Sequence, residues 1–122
     1  MKEISDLEVK IFHNSKCSKS RQTFALLEER GIKPIVIEYL KTPPDEETIR
    51  HLLKLLNLSP RQLMRTNESE YKEKSLNDES LTEAQLIQAM IEIPKLIERP
   101  IVVVDDKKAV IGRPPENVLA II

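Results

Sequence analysis

In the first forty positions of the chain, two short runs rich in apolar and β-branched residues lie on either side of one amphipathic stretch. Apolar and charged residues alternate over Glu8–Phe12, which is typical of a short strand. Ser20–Arg30 has the spacing of a helix with one apolar face, and Gly31 is a suitable residue to end it. Pro34–Leu40 is mostly apolar and predicts a second strand. This order predicts a βαβ unit with parallel strands.

Helical patterns dominate the middle of the chain. The first helix is expected to start near Thr42, which can cap it, with two prolines in its first turn. An irregular helical stretch follows from Ser59, and Thr82–Ile93 predicts a further helix that a proline ends. We expect this part, about residues 43–95, to be a helical insertion in a single domain that covers residues 1–122.

The last part of the chain predicts a β-hairpin and a helix. Ile101–Val104 is a run of branched apolar residues, as in a buried strand. A turn over Asp105–Lys108, a return strand over Ala109–Ile111 and a helix over Pro114–Ile122 follow. A cysteine-bearing loop between strand and helix, with a proline before a later hairpin, resembles a thioredoxin-like (glutaredoxin-like) domain. The predicted fold class is α/β, a mixed four-stranded sheet with an inserted helical segment.

Composition narrows the class of protein. The chain has 122 residues, of which 40% are hydrophobic and 32% charged, so we expect a globular protein with a sizeable core. A formal net charge of -1 argues against a generally basic nucleic-acid-binding protein. No apolar run reaches membrane-spanning length, and the charged N-terminus differs from a signal peptide. We therefore expect neither a nucleic-acid nor a membrane partner.

Cys17 is the single cysteine of the chain, and it lies between the first predicted strand and helix. One cysteine excludes an internal disulfide and fits a reducing cytoplasm, where we expect the protein. His13 and His51 are too far apart for a metal-binding spacing, so no metal site is expected. A helix N-terminus with nearby cations, here Lys16 and Lys19, lowers a thiol pKa. We therefore expect a reactive thiolate in an anion-binding loop, although a lone cysteine can also be a small buried hydrophobic residue.

Three arginines stand at the ends of predicted elements, where loops carry functional groups. Arg65 follows an apolar helix, Arg99 precedes Pro100 and a buried strand, and Arg113 follows the hairpin. The planar guanidinium binds tetrahedral oxyanions with paired hydrogen bonds. Each arginine taken singly could be a solvated surface charge, but three at such junctions point to an oxyanion site.

Four motifs in order carry a resemblance to a known family. They are His13-Asn14-x-x-Cys17-x-x-Ser20-Arg21-x-Thr23, Leu63-Met64-Arg65-Thr66, Pro94-Lys95-Leu96-Ile97-Glu98-Arg99-Pro100-Ile101 and Ile111-Gly112-Arg113-Pro114-Pro115-Glu116. Together they span most of the chain, which resembles the glutaredoxin-coupled arsenate reductases of thioredoxin-like fold. Ser15 stands where many of those relatives have proline, and its effect on the loop is left open.

The resemblance implies a role for each site residue. Cys17 would attack arsenate as the nucleophile. The oxyanion and its arsenic–cysteine intermediates would be bound by Arg65, Arg99 and Arg113. The thiolate would be tuned by His13 and Ser20. The same resemblance leads us to expect a cis Arg99–Pro100 peptide bond.

The cysteine count also constrains the reductant. Reducing arsenate to arsenite takes two electrons, and the chain has no second cysteine to release a Cys17 adduct as an internal disulfide. The other thiols must therefore come from outside the chain. The resemblance supplies glutathione as a co-substrate and glutaredoxin as a partner, with no bound cofactor.

Two other functions stay open on the sequence. A general glutathione-dependent thiol reductase of the same fold would use the same cysteine on a different substrate. A regulator of the Spx type, which contacts RNA polymerase, typically has C-x-x-C where this chain has Cys17-x-x-Ser20. The sequence determines neither the physiological substrate nor the turnover nor the oligomeric state.

Overall fold

A computed structural model describes residues Glu3–Ile122. The chain divides into two compact units. The first combines the chain up to Thr42 with Arg99–Ile122, and the second is Pro43–Glu98. The second unit has nearly the bounds expected for the helical insertion, and the single-domain organisation stays a prediction.

The first unit is built on a mixed sheet. In the described residues its strands are β1 (Val9–Phe12), β2 (Ile35–Ile37), β3 (Ile101–Val104) and β4 (Lys108–Ile111), in the order β2-β1-β3-β4. β1 is parallel to β2 and antiparallel to β3, and β4 is antiparallel to β3. The predicted thioredoxin-like fold with a mixed four-stranded sheet is therefore confirmed.

Helix α1 (Ser18–Glu29) and the sheet share the core of the first unit. The core residues are those whose side chains are almost fully buried: Val9, Ile11, Leu27, Ile32, Val102, Val104 and Val118. α1 also packs against the C-terminal 3₁₀ helix Pro115–Ala120, and a second 3₁₀ turn, Ile4–Asp6, precedes β1. Because β1 and β3 are central in the sheet, the loops at their ends are anchored by buried backbone.

β2 is shorter and more exposed than the predicted strand Pro34–Leu40. Only three residues pair with β1, and Ile35 is 52% exposed. Pro34 has no N–H to donate to a ladder, and the Tyr39 N–H turns back to the Ile37 carbonyl oxygen at 3.0 Å. A proline before the strand and a turn after it therefore limit β2 to a short edge strand.

The second unit is helical, as predicted. Its elements are α2 (Glu46–Leu56), α3 (Pro60–Leu63), α4 (Ser69–Glu73), α5 (Glu83–Glu92) and the 3₁₀ turn Pro94–Leu96. Thr42 does not cap α2, contrary to expectation, because the Asp45 carboxylate accepts the Thr48 N–H at 2.8 Å and both prolines precede the helix. Thr82 forms the capping box of α5, and α2 packs on α5.

The end of the chain differs from the prediction in the type of helix. The hairpin turn places Asp105 and Asp106 in the left-handed region, with φ of 53° and 56°, and the Lys107 N–H closes the turn by donating to the Val104 carbonyl oxygen at 3.0 Å. After β4, Pro115–Ala120 is a 3₁₀ helix, whereas the sequence predicted a longer helix over Pro114–Ile122. Two successive prolines remove the first backbone donors, so only a short, tight helix forms.

Candidate active site

Cys17 occupies the N-cap position of α1, directly after the loop that follows β1. The predicted start of this helix, Ser20, was too late: the helix begins at Ser18, and Ser20 is not its cap. The backbone N–H groups of Lys19 and Ser20 are directed at the Cys17 sulfur. The side chain is neither fully buried nor fully exposed, so the thiol can be reached from solvent. A first helical turn with free donors is a ready site for an anion.

The pKa of the Cys17 thiol is lowered. Partial burial is the largest single effect and raises this pKa, but several groups together outweigh it. The Ser20 N–H comes first, followed by a hydrogen bond and charge from the Arg99 guanidinium and by the Lys19 N–H. Cys17 therefore has the electrostatic surroundings of a reactive thiolate.

The loop before Cys17 is braced by its own residues. Asn14 Oδ1 accepts the Lys16 N–H at 3.0 Å, and the Cys17 N–H donates to the Asn14 carbonyl oxygen at 3.0 Å. Arg21 Nη1 donates to the Ser15 carbonyl oxygen at 3.0 Å. These bonds hold the loop around Ser15 in place.

Ser20 and His13 also stabilise the loop through hydrogen bonds. The Ser20 side chain is fully buried, and its Oγ accepts the Asn14 N–H at 3.0 Å. The same Oγ lies 2.6 Å from His13 Nδ1, within hydrogen-bond distance. Burial, opposed by Glu38 and supported by Arg21, lowers the pKa of His13, so the ring is neutral near pH 7.

This geometry changes the way in which His13 and Ser20 would tune the thiol. A neutral His13 offers no imidazolium charge that would lower the thiol pKa of Cys17. Instead it orients Ser20, whose backbone N–H donates to the Cys17 sulfur. Their tuning role stays a prediction, now through the backbone of α1 rather than through a charge.

Arg99 and Arg113 both reach Cys17. Arg99 is partly buried at the start of the segment that enters β3, and its guanidinium hydrogen-bonds the sulfur. Arg113 is exposed and follows β4; its Nη1 lies 3.9 Å from Cys17 Sγ and donates to the Arg99 carbonyl oxygen at 3.4 Å. Each arginine precedes a proline, and both peptide bonds, Arg99–Pro100 and Arg113–Pro114, are cis, the first as expected.

Gly112 and Thr23 support this side of the site, and no role was predicted for either residue. A Cβ on Gly112 would lie 2.6 Å from Thr23 Oγ1 and 2.9 Å from Pro100 Cγ. Thr23 Oγ1 is buried and lies 2.8 Å from the Lys19 carbonyl oxygen and 3.3 Å from that of Gly112. Gly112 therefore lets the end of β4 approach α1 closely. A glycine directly before Arg113 was the available sequence signal.

Arg65 belongs to the second unit. Its N–H donates to the Leu96 carbonyl oxygen at 2.6 Å, and its Nε lies 3.4 Å from a Glu68 carboxylate oxygen. Its Nη1 is buried and donates no hydrogen bond to the described residues. A role for Arg65 in oxyanion binding stays a prediction.

Residues 3–122 contain no group of three or more His, Cys, Asp and Glu side chains close enough together to hold a metal ion. No helix in this part of the chain combines the length and apolar character needed to cross a bilayer.

The arrangement around Cys17 is suited to attack on an anionic electrophile. The sulfur is a soft nucleophile with a lowered pKa, and two guanidinium groups that can bind a tetrahedral oxyanion lie next to it. The N–H groups at the start of α1 add further donors beside the sulfur. These groups can hold an oxyanion against the thiolate and stabilise negative charge during attack.

The chain is also similar in sequence to known proteins. The sequence model of the ArsC family matches residues 12–121. The chain is 58% identical to the uncharacterized protein YfgD of Escherichia coli, over 94% of this chain and 97% of that protein. It is 47% identical to an arsenate reductase of Neisseria meningitidis serogroup B, over 94% of this chain and 98% of that protein.

A solved structure extends the similarity to the fold. The arsenate reductase from Vibrio cholerae aligns with a TM-score of 0.92 and 52% sequence identity. The alignment covers 95% of this chain and 98% of that chain.

Proposed function

Because this chain belongs to the ArsC family, we propose that it reduces arsenate to arsenite with Cys17 as the nucleophile. One observation carries the proposal: the Cys17 sulfur has a lowered thiol pKa and lies within reach of the Arg99 and Arg113 guanidinium groups. A thiolate alone would suit many reactions. Two arginine forks beside it favour a tetrahedral oxyanion as the substrate.

In the proposed first step, the Cys17 thiolate attacks the arsenic(V) atom of bound arsenate. A sulfur–arsenic bond forms, and one oxygen of arsenate takes up protons and leaves as water. Arg99 and Arg113 bind the remaining oxygens and stabilise their charge in the transition state. Arg65 would be a third ligand of the oxyanion.

The whole reaction oxidises two thiols for each arsenate that is reduced. Arsenic falls from the +5 to the +3 state as two thiols are oxidised to one disulfide, and arsenite is released. Cys17 can supply one sulfur, but the chain has no second cysteine. Glutathione would attack the Cys17 sulfur of the adduct, and the sulfur–arsenic bond would break with its electron pair passing to arsenic. Glutaredoxin would then reduce the mixed disulfide between Cys17 and glutathione. Such a reaction needs a reducing compartment, so we place the protein in the cytoplasm.

The test is arsenite formation by the purified protein with arsenate, glutathione and glutaredoxin. We expect product only when a thiol donor is present, and a loss of multiple turnovers when either thiol component is omitted. Thioredoxin and its reductase should replace glutaredoxin poorly; efficient replacement would contradict the proposed coupling. Reduction of a glutathione mixed disulfide without any arsenate reduction would favour the general thiol reductase instead.

A further inference from the structure

Asn117 lies in the C-terminal 3₁₀ helix and bonds to the segment that carries Arg113. Its Nδ2 donates to the Ile111 carbonyl oxygen at 3.2 Å and to the Arg113 carbonyl oxygen at 3.1 Å. Both partners are carbonyl oxygens, which only accept hydrogen bonds, so the side-chain NH₂ must point toward them. One side chain therefore ties together the residue before Gly112 and the residue after it.

Arg113 needs such support because its own side chain is exposed. Its backbone N–H donates to the Ile111 carbonyl oxygen at 2.9 Å, and the Gly112 N–H donates to the Pro100 carbonyl oxygen at 2.8 Å. These bonds fix the backbone N–H groups of Gly112 and Arg113. Asn117 binds the Arg113 carbonyl oxygen, and the two sets of bonds together set the direction in which the Arg113 side chain leaves the backbone.

We infer that Asn117 is a positioning residue that holds Arg113 beside the Cys17 sulfur for oxyanion binding. Asn117 acts on the backbone of Arg113, and the guanidinium then reaches the sulfur at 3.9 Å. The inference rests on the proposed function only in that it takes an oxyanion as the ligand of this site. Removing the Asn117 amide should therefore weaken oxyanion binding through Arg113 and leave the thiol intact.

The variant to test is Asn117→Leu, which keeps a similar shape and removes both hydrogen bonds. Asn117→Ser is the second variant, because a smaller side chain at this half-buried position avoids overpacking if the leucine variant is unstable. Asn77→Leu is the matched control at an exposed asparagine of the second unit. Thermal unfolding of each variant checks that the protein is folded.

The main measurement is protection of Cys17 against iodoacetamide by sulfate and by arsenate. We expect Asn117→Leu to weaken protection by about fivefold to tenfold, the scale of one or two net hydrogen bonds. The alkylation rate without an anion should match that of the unmodified protein. In the arsenate assay, KM should rise more than kcat falls.

A double-mutant cycle with Arg113→Ala gives the decisive result. If Asn117 acts through Arg113, Asn117→Leu should change anion protection less than twofold in the Arg113→Ala background. An equal effect in both backgrounds would overturn the inference. Unchanged protection in folded Asn117→Leu and Asn117→Ser proteins, or no protection of the unmodified protein by either anion, would overturn it too.

The same measurements separate this inference from the proposed function. Anion protection that depends on Asn117 and Arg113, without any arsenite formation, would reject arsenate reduction and keep the positioning role. Arsenite formation that is indifferent to Asn117 would keep the proposed function and reject the positioning role.

Discussion

The two sides of the Cys17 site are built in different ways. On the loop side, hydrogen bonds join residues close in sequence, such as His13 and Ser20, which are seven positions apart. On the hairpin side, Arg113 reaches Cys17 across 96 positions, and Thr23 meets Gly112 across 89. The loop side therefore depends on local backbone geometry, and the hairpin side depends on the folded sheet.

This difference separates two tasks. The loop side holds the sulfur with backbone N–H groups, which every residue except proline supplies. The hairpin side adds guanidinium groups, which are specific to arginine and can be removed one at a time. Substitutions on the hairpin side should therefore affect oxyanion binding most, whereas those on the loop side should act through the thiol or through stability.

The largest effect is expected for Cys17→Ser, which removes the sulfur that both sides of the site contact. A serine hydroxyl is nearly isosteric but is a far weaker nucleophile at neutral pH. Arsenite formation should fall by about a thousandfold or more, with an unchanged circular dichroism spectrum. Ser18→Ala, at the exposed next position, is the matched control and should retain activity. Substantial activity in Cys17→Ser would mean that another group attacks the substrate.

Arg99→Ala should have the next largest effect, because it removes a partly buried donor that hydrogen-bonds the sulfur. We expect kcat/KM for arsenate to fall by about a hundredfold, the scale of one lost donor in an anion-stabilising site. Arg99→Lys should recover only part of this loss, since an ammonium cannot make the paired hydrogen bonds of a guanidinium. Full recovery by lysine would mean that Arg99 supplies charge alone, and Arg30→Ala on the exposed end of α1 is the control.

The pH dependence of alkylation tests the same residue without arsenate. The pKa of Cys17 is lowered, so thiolate should persist below the ordinary thiol value of about 8.5. In Arg99→Ala the midpoint of the alkylation rate should move upward. A lowered folded-state pKa also means that ionised Cys17 stabilises the fold above the unfolded-state pKa, and that this gain is lost as pH falls through the folded-state pKa. A wild-type midpoint at or above 8.5 would contradict the thiolate assignment.

Gly112→Ala tests the close approach on the hairpin side. The new Cβ would lie 2.6 Å from Thr23 Oγ1, so the end of β4 must shift or Thr23 must move. We expect a loss of about 1–3 kcal/mol in the free energy of unfolding and weaker oxyanion binding, because Arg113 is the next residue. Urea unfolding and anion protection of Cys17 measure the two effects.

Thr23→Ala in the same chain provides the control for this clash, because it removes both Thr23 atoms that the new Cβ would meet. The double variant should regain part of the lost stability compared with Gly112→Ala alone. If it does not, contact with Thr23 is not the cause of the destabilisation.

The contrast between the two sides also explains how far the sequence could be interpreted. β1, β3 and the position of Cys17 were predictable because they depend on local hydrophobic patterns and on the start of a helix. The predicted strand for β2 was too long, because apolar residues at a sheet edge have the same composition as buried ones. The cap of α2 was misplaced because Thr42 and Asp45 are both good capping residues, and only the backbone path selects between them.

Two supports of the hairpin side, Thr23 and Asn117, could not be assigned a role from sequence patterns. Thr23 looks like an ordinary helix residue, and Asn117 like a polar residue in a C-terminal helix. Their roles appear only when strands β1, β3 and β4 pair and bring the end of the hairpin to α1. Motif resemblance located Arg99 and Arg113, but the contacts that hold Arg113 depend on the folded chain.

The smallest effect is expected on the loop side, from His13→Asn. The asparagine amide can keep a hydrogen bond with the Ser20 hydroxyl in place of Nδ1, because it carries both a donor and an acceptor, so activity at pH 7.5 should change little. The pKa of His13 is lowered, first by burial and then by Arg21, against the opposing charge of Glu38. Between the folded-state pKa and the unfolded value of about 6.5, the unfolded chain binds more protons, so stability falls as pH falls through this range. Urea unfolding of both proteins at pH 7.5 and pH 5 should show a smaller acid loss for His13→Asn, and an equal loss in both would reject a neutral, buried His13.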